Sequence, residues 1–425
     1  MIRKRFLAAA LLFTLAVGCA GTMTVSAAAA APAVYAQTDK LTLADQDLAA
    51  KDYAGALKNY QSVMTGTPSE MKAYLGALKA CAGLKDTASA QTIFAKALSK
   101  IGKFSTSERK SRKTAIIAIL KLAADIYKDQ PTKAYSALLK GLKWYPGNQA
   151  VTKARDQLLS STMKVWKKTF CDENGKVNKY YIFHYNTAGF ETSCTGYDAD
   201  GSVTGKVKFT LNADGTMKSA KETDAKGTLL YTYAFTYNAD GDMTSETDYK
   251  ADQTKEESWT WEYDANRNCT KSSCIDSDGT ETAVVYEYNA DGLEVKETDY
   301  KNGAATESTA YTYNAKGVAV KELHYDAAGT LTESITYALN AKGKPVVYLG
   351  LAPDGSPMSS GMSVYNTDGK RTGGTRYYAN GNVEETGTIS YDAFGGITRV
   401  TDCTWKEDGT LKQNLIYDYQ SYLKK

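Results

Sequence analysis

From Phe170 to Tyr419 the chain alternates between large apolar and small polar side chains. The runs Tyr181/Phe183/Tyr185, Tyr233/Phe235/Tyr237, Trp259/Trp261/Tyr263, Val284/Tyr286/Tyr288 and Ile335/Tyr337/Leu339 all keep a period of two, with Thr, Ser, Glu and Ala between. That period predicts strands with one aromatic and one polar face. Each run closes on the same phrase: an apolar residue, Asn or Asp, two small or polar residues, then usually Gly. It recurs at Tyr185, Leu211, Tyr237, Tyr263, Tyr288, Tyr313, Leu339, Tyr365 and Tyr391, in steps of 25 or 26 residues, and fades at Tyr417. A weaker copy lies midway in each step, as at Tyr197, Thr223 and Tyr325. In Tyr237-Asn238-Ala239-Asp240-Gly241 the Asn opens a type I turn, and the Gly supplies the left-handed residue that ends a three-residue hairpin loop. Turns this close leave no room for crossover helices, so neighbours pair antiparallel in a meander of about 18–20 strands. Accumulated twist and a large aromatic face predict a sheet rolled around that face into a barrel-like or spiral shell with a dry interior. The alternative is a flatter ribbon that meets another chain.

Residues 37–168 follow a different period. Apolar positions recur at steps of three and four, as in Leu48, Tyr53, Ala56, Leu57, Tyr60 and Val63, which predicts helices. Asp52-Tyr53, Ala56, Tyr60 and Pro68 are echoed by Asp86, Ala90, Phe94 and Ala97, with Tyr74 at an early aromatic position, and again by Ala134, Leu138, Gly141 and Pro146. On these residues the segment resembles a tetratricopeptide array of three units closed by a helix near 148–166. Such an array implies a helical solenoid whose groove takes a protein or peptide. Between the second and third units Ser105-Thr106-Ser107-Glu108 forms a capping box. The Arg109, Lys110, Arg112, Lys113 run after it is a candidate anion or partner patch; a solvated helix start is the plainer account.

Residues 1–36 have the basic start and short apolar run of an export leader. Val34-Tyr35-Ala36 suits ordinary signal cleavage, whereas Val17-Gly18-Cys19 suits lipoprotein processing with lipidation at Cys19. No later segment is apolar enough to span a membrane, so the mature chain is expected to be exported and extracellular or surface-held, free or lipid-anchored.

Charge divides the molecule. Residues 37–168 hold 23 basic and 10 acidic residues, and residues 169–425 hold 25 and 38, giving +13 and −13. The acidic β half and the export signal speak against nucleic acid. Seven cysteines form no Cys-x-x-Cys pair and keep no place in the repeat, so neither a zinc ribbon nor a disulfide framework is expected. Asp198/Asp200 and Asp276/Asp278 offer two oxygens each, too few for a calcium loop, and hairpin chemistry accounts for them. His184 and His324 are placed on the polar face with no identified partner. With no nucleophile motif, phosphate loop or metal signature, the reading is no enzyme, no cofactor and no metal.

Asn212-Ala213-Asp214-Gly215, Thr223-Asp224-Ala225-Lys226-Gly227, Tyr231-Thr232-Tyr233 and Tyr237-Asn238-Ala239-Asp240-Gly241 resemble the Tyr-Asp repeats of the RHS family across residues 170–420. The resemblance implies a β-shell or cell-surface stalk. The organisation expected is therefore a leader (1–36), a tetratricopeptide-like helical domain (37–168) and an RHS-like β-repeat domain (169–425). The function expected is a non-catalytic exported scaffold or adaptor whose helical half binds a protein or peptide. The alternative is a wall-polymer or carbohydrate binder, with the basic half on anionic polymer or the aromatic ladders on sugars.

Overall fold

The computed structural model describes residues 40–424. The leader, its cleavage sites and Cys19 lie outside them.

The helices among the described residues are α1 (Lys40–Ala49), α2 (Tyr53–Gly66), α3 (Met71–Leu84), α4 (Thr87–Lys103), α5 (Thr106–Ser111), α6 (Lys113–Lys121), α7 (Ala123–Ile126), α8 (Pro131–Trp144) and α9 (Gln149–Ser161). Asp52 caps α2 by accepting from the Gly55 amide at 2.9 Å, and Asp86 caps α4 from Ser89 at 2.9 Å. Each carboxylate satisfies an amide that the helix start leaves unpaired. Ala56, Ala90 and Ala134 are buried, each with a buried larger side chain one turn on: Tyr60, Phe94 and Leu138. Gly76 lets α3 close on α2, since a Cβ there would stand 2.2 Å from the Tyr60 ring. The result is a row of packed helices with one apolar core.

Helix gives way to strand between Ser161 and Met163. Twenty strands follow: β1 (Met163–Cys171), β2 (Val177–Tyr185), β3 (Glu191–Asp198), β4 (Val203–Leu211), β5 (Met217–Asp224), β6 (Leu229–Tyr237), β7 (Met243–Lys250), β8 (Lys255–Tyr263), β9 (Cys269–Asp276) and β10 (Glu281–Tyr288) in the first half. The second half is β11 (Glu294–Lys301), β12 (Ala304–Tyr313), β13 (Ala319–Asp326), β14 (Leu331–Leu339), β15 (Pro345–Leu351), β16 (Pro357–Tyr365), β17 (Arg371–Tyr378), β18 (Val383–Tyr391), β19 (Ile397–Trp405) and β20 (Leu411–Ser421). Every strand pairs antiparallel with its sequence neighbours, and β20 pairs with β1 from Met163↔Ser421 to Cys171↔Asn414. The meander is thus a closed barrel, not a spiral or an open ribbon, and closure leaves no edge strand.

The turns are built as their sequence requires. Between β2 and β3, the Asn186 amide donates to the Phe190 carbonyl (2.9 Å) and the Gly189 amide to the Asn186 carbonyl (3.1 Å), with Gly189 at φ +86°. The register then slips by one residue at Tyr185, so turn and bulge come together. The two 25-residue steps have separate causes. The β9–β10 hairpin lacks the bulge, and β11 and β12 are joined by the two-residue turn Asn302-Gly303.

The helical head meets the barrel beside the seam where β20 closes on β1. Thr132 donates its hydroxyl to the Thr187 carbonyl, Ser160 to Asp392 at 3.0 Å, and Thr162 and Ser421 share a hydrogen bond of 2.6 Å. After β20 the chain turns back, and Leu423 joins the helical core.

Candidate ligand surface inside the barrel

The register fixes which side chains face inward. One cavity of about 670 Å³ is lined by the end of α9 and by residues of β1 to β6, β19 and β20, among them Phe170, Tyr181, Tyr185, Glu191, Leu211, Tyr237 and Tyr419. Strands so far apart in the sheet share a cavity only on its concave side. Carried around by the pairing, that side holds the aromatic rows of the even strands, as expected. The odd strands bring carboxylates and small residues to the same side: Glu222 lies opposite Tyr231, Glu246 opposite Phe235 and Trp259, Glu297 opposite Tyr286, and Glu322 opposite Tyr311.

This corrects the expected dry interior. Twenty strands about 4.8 Å apart make a circumference of about 95 Å and a radius of about 15 Å, before tilt widens it. Side chains fill an eight-stranded barrel but not one this wide. Among the described residues, only Cys194 and Ser421 of the twelve largest fully buried side chains belong to the barrel strands. The inward rings of Tyr233, Trp261, Tyr286, Tyr311 and Tyr337 are half-buried. They form the surface of a wall around a lumen.

The wall is tied together by its hydroxyls. Tyr185 donates to the Val165 carbonyl (2.7 Å), Tyr263 to Met243 (2.9 Å), Tyr288 to Cys269 (2.8 Å), Tyr313 to Glu294 (2.6 Å), Tyr365 to Pro345 (2.8 Å) and Tyr391 to Arg371 (2.7 Å). In each case the phrase tyrosine spans to the start of the neighbouring strand at the rim nearest the helices. Deeper in, Tyr233 donates to Glu222 (2.5 Å), Tyr311 to Glu297 (2.9 Å) and Tyr337 to Glu322 (2.6 Å). Burial, the hydrogen bond and the carboxylate charge together push the Tyr311 and Tyr337 hydroxyls far above the ordinary phenol range.

Several inward acids are held toward their neutral form. Burial raises Glu191 to about 7. Burial, with Asp248 alongside, raises Glu246 to about 8. Glu294, Asp299 and Asp402 are raised too, first by burial. Glu257, Cys274 and Asp276 bring their donor atoms within 4.8 Å of one another on the inner wall, a set that could hold a divalent cation. The sequence pattern pairs Asp276 with Asp278 as two oxygens of a turn, too few for a calcium loop, and only the cross-strand register places it beside Glu257.

The other candidates fall as follows. Arg109 donates to the Phe104 carbonyl, and Arg112 donates to the Ser69 carbonyl at 3.0 Å and stacks over Phe104, so both stitch α5 to its neighbours. Lys110 and Lys113 are exposed. The capping box of Ser105 and Glu108 forms. His184 is outward and exposed, but His324 is not on the polar outer face. It lies opposite Thr309 and Glu333 on the inner wall, with its Nδ1 3.2 Å from the Thr309 hydroxyl. The carboxylates of Asp200 and Asp278 accept turn amides two residues on, as hairpin chemistry requires. The described cysteines are all free thiols.

The outer wall carries Lys206, Lys208 and Lys221 at mid-strand and an Arg399–Asp418 pair at 2.7 Å. A lipid-facing barrel needs an apolar outward band; the outward positions named on β4, β5, β19 and β20 are charged, whereas on β15 and β16 Val347, Leu349, Met362 and Val364 are exposed on the outer side. Among the described residues no helix is long and apolar enough to cross a membrane.

The fold therefore defines a wide, closed antiparallel β-barrel with a helical head at one rim. No family model and no curated protein matches the chain. Among solved structures, a porin-like protein from Bacteroides uniformis aligns at 12% identity over 60% of this chain and 95% of that one, with a TM-score of 0.28. The TcdB2–TccC3 structure aligns at 11% identity over 60% of this chain and 21% of that one, with a TM-score of 0.22. The N-terminal domain of the effector SpvB from Salmonella typhimurium aligns at 10% identity over 57% and 87%, with a TM-score of 0.14. This chain thus spans about a fifth of the TcdB2–TccC3 chain. At such scores none of the three carries a functional argument.

Proposed function

We propose that the chain is an exported, non-catalytic scaffold in which the tetratricopeptide-like helical half binds a protein or peptide and the RHS-like barrel is a rigid water-facing shell. The observation that supports the shell is the use of the phrase tyrosines: repeat after repeat, the hydroxyl is spent on a neighbouring strand's carbonyl. The helical half supplies a groove of about 380 Å³ between α4 and α8, lined by Ala95, Leu98, Tyr127, Lys133, Ala137 and Lys140. Its apolar floor and lysine rim suit a short acidic-apolar peptide.

A random-peptide display selection on the immobilised full chain tests this. Enriched peptides should lose binding to Ala95→Arg, which fills the groove from an exposed position, and keep binding to outer-wall variants such as Lys206→Met. Enrichment of nothing, or of peptides indifferent to Ala95→Arg, would refute the groove.

A second reading, carbohydrate binding, is favoured by the half-buried inward rings, since exposed aromatic faces beside carboxylates are what sugar rings stack on. Inward Trp259 and Trp261, stacked at 6.3 Å, would report it by fluorescence.

A further inference from the structure

The cavity of about 670 Å³ at the helical rim is walled mostly by rings and aliphatic chains, and four charged side chains line it: Lys164, Lys168, Lys179 and Glu191. The lysines are accounted for within the molecule. Lys164 is exposed. Lys168 lies 4.9 Å from the Tyr417 ring, and Asp402 faces it from β19. Lys179 lies 4.8 Å from the centre of the Phe170 ring and opposite Asp198 on β3. Glu191 differs. It opens β3 and is half-buried, yet among the described residues no hydrogen bond or ion pair reaches its carboxyl. Tyr185, directly opposite, has its hydroxyl committed to the Val165 carbonyl. On the neighbouring turn the Phe190 ring packs on Gly215, where a Cβ would stand 2.2 Å from it, so the wall beside the carboxyl is apolar. A polar group taken out of water without a partner is costly, and a partner on the cavity side removes that cost.

We propose that this cavity binds a neutral alcohol with an apolar body, its hydroxyl paired with the Glu191 carboxyl and its body lying among Leu211, Met217, Tyr237 and Ile397. The size is that of ordinary small-molecule sites, which pair mostly apolar walls with a few placed polar groups. A hydroxyl both donates and accepts. It therefore suits a carboxyl that burial holds protonated up to about pH 7, and it still donates once that proton is lost. An ammonium head would enter a cavity that already holds three lysines. A carboxylate head would bring a second acid to Glu191.

The full chain is titrated with diphenylhexatriene, a neutral fluorescent probe with no hydrogen-bonding group, and the bound probe is then challenged at neutral pH with decanol, decanoate or decylamine. Saturable one-site binding of the probe is expected, with decanol displacing it at a concentration about tenfold or more below that needed of the two charged chains. Leu211→Trp fills the space of the apolar body and should abolish probe binding. Glu191→Leu should weaken decanol about fivefold, the net worth of one hydrogen bond, and leave the probe unchanged. Glu191→Gln keeps a donor and an acceptor and should stay near wild type. Non-saturable probe binding, displacement by decanoate or decylamine as readily as by decanol, or equal effects of Glu191→Leu on decanol and on the probe would overturn the proposal. The comparison of head groups needs no variant and so stands even if Glu191→Leu fails to fold.

Discussion

Gln253 and Arg267 stand where most repeats place glycine, and both are held at positive φ, +67° and +68°. A Cβ in that region costs about 1 kcal/mol against glycine. Gln253→Gly should therefore raise the melting temperature, by about 1 kcal/mol of stability. Arg267→Gly should gain less, because Arg267 also makes a paired contact with Asp242. Unchanged melting in Gln253→Gly would mean that the turn is not strained. Glu246 gives a pH dependence with a definite sign. Its carboxyl sits at about 8 in the folded chain against 4.5 ordinarily, so between those values the folded state keeps a proton that the unfolded state has lost. Stability from this group is full below about pH 4.5 and falls as pH rises toward 8; Glu191, at about 7, acts in the same direction. Glu246→Gln should flatten the fall in chemical denaturation midpoints between pH 5 and 8, and a slope as steep as wild type would exclude the carboxyl as its source.

The hairpin is the unit of construction. Turn, bulge and rim hydroxyl recur together, and Leu211 and Leu339 are the places where the phrase keeps its apolar body but lacks a hydroxyl. Tyr263→Phe deletes the bond to the Met243 carbonyl while keeping the ring. It should cost about 1 kcal/mol, the net worth of one such bond, and a second Tyr→Phe several hairpins away, such as Tyr365→Phe, should add to it. Denaturant midpoints of the single and double variants check both statements. The 25-residue steps belong to this scale as well. A missing bulge and a two-residue turn each remove one residue without disturbing the inward face of the strands that follow.

For the whole molecule, closure at β1–β20 and the return of Leu423 to the helical core join the two halves by strand pairing, hydroxyl bonds and apolar contact. No ion pair among the described residues bridges head and barrel, despite the opposite net charges of the two sequences. Small-angle scattering should therefore give the same compact particle at low and at molar salt. Opening at high salt would show that charge, which salt screens, is what holds them.

Periodicity alone made the antiparallel meander, its turn chemistry, the aromatic face of the even strands and the helix caps legible, because period, capping and left-handed glycine are local properties of the chain. Turn spacing predicted about 18–20 strands, but no local signal says whether the first strand pairs with the last, so whether the tyrosines meet as a packed core or stand as a wall around a lumen was decided only by the β1–β20 pairing. The same holds for the inner acids, for His324 and for the lysine-lined cavity. Each depends on which residues register places opposite one another or on strands far apart in sequence, and long-range pairing energy, not any nearby residue pattern, selects those neighbours.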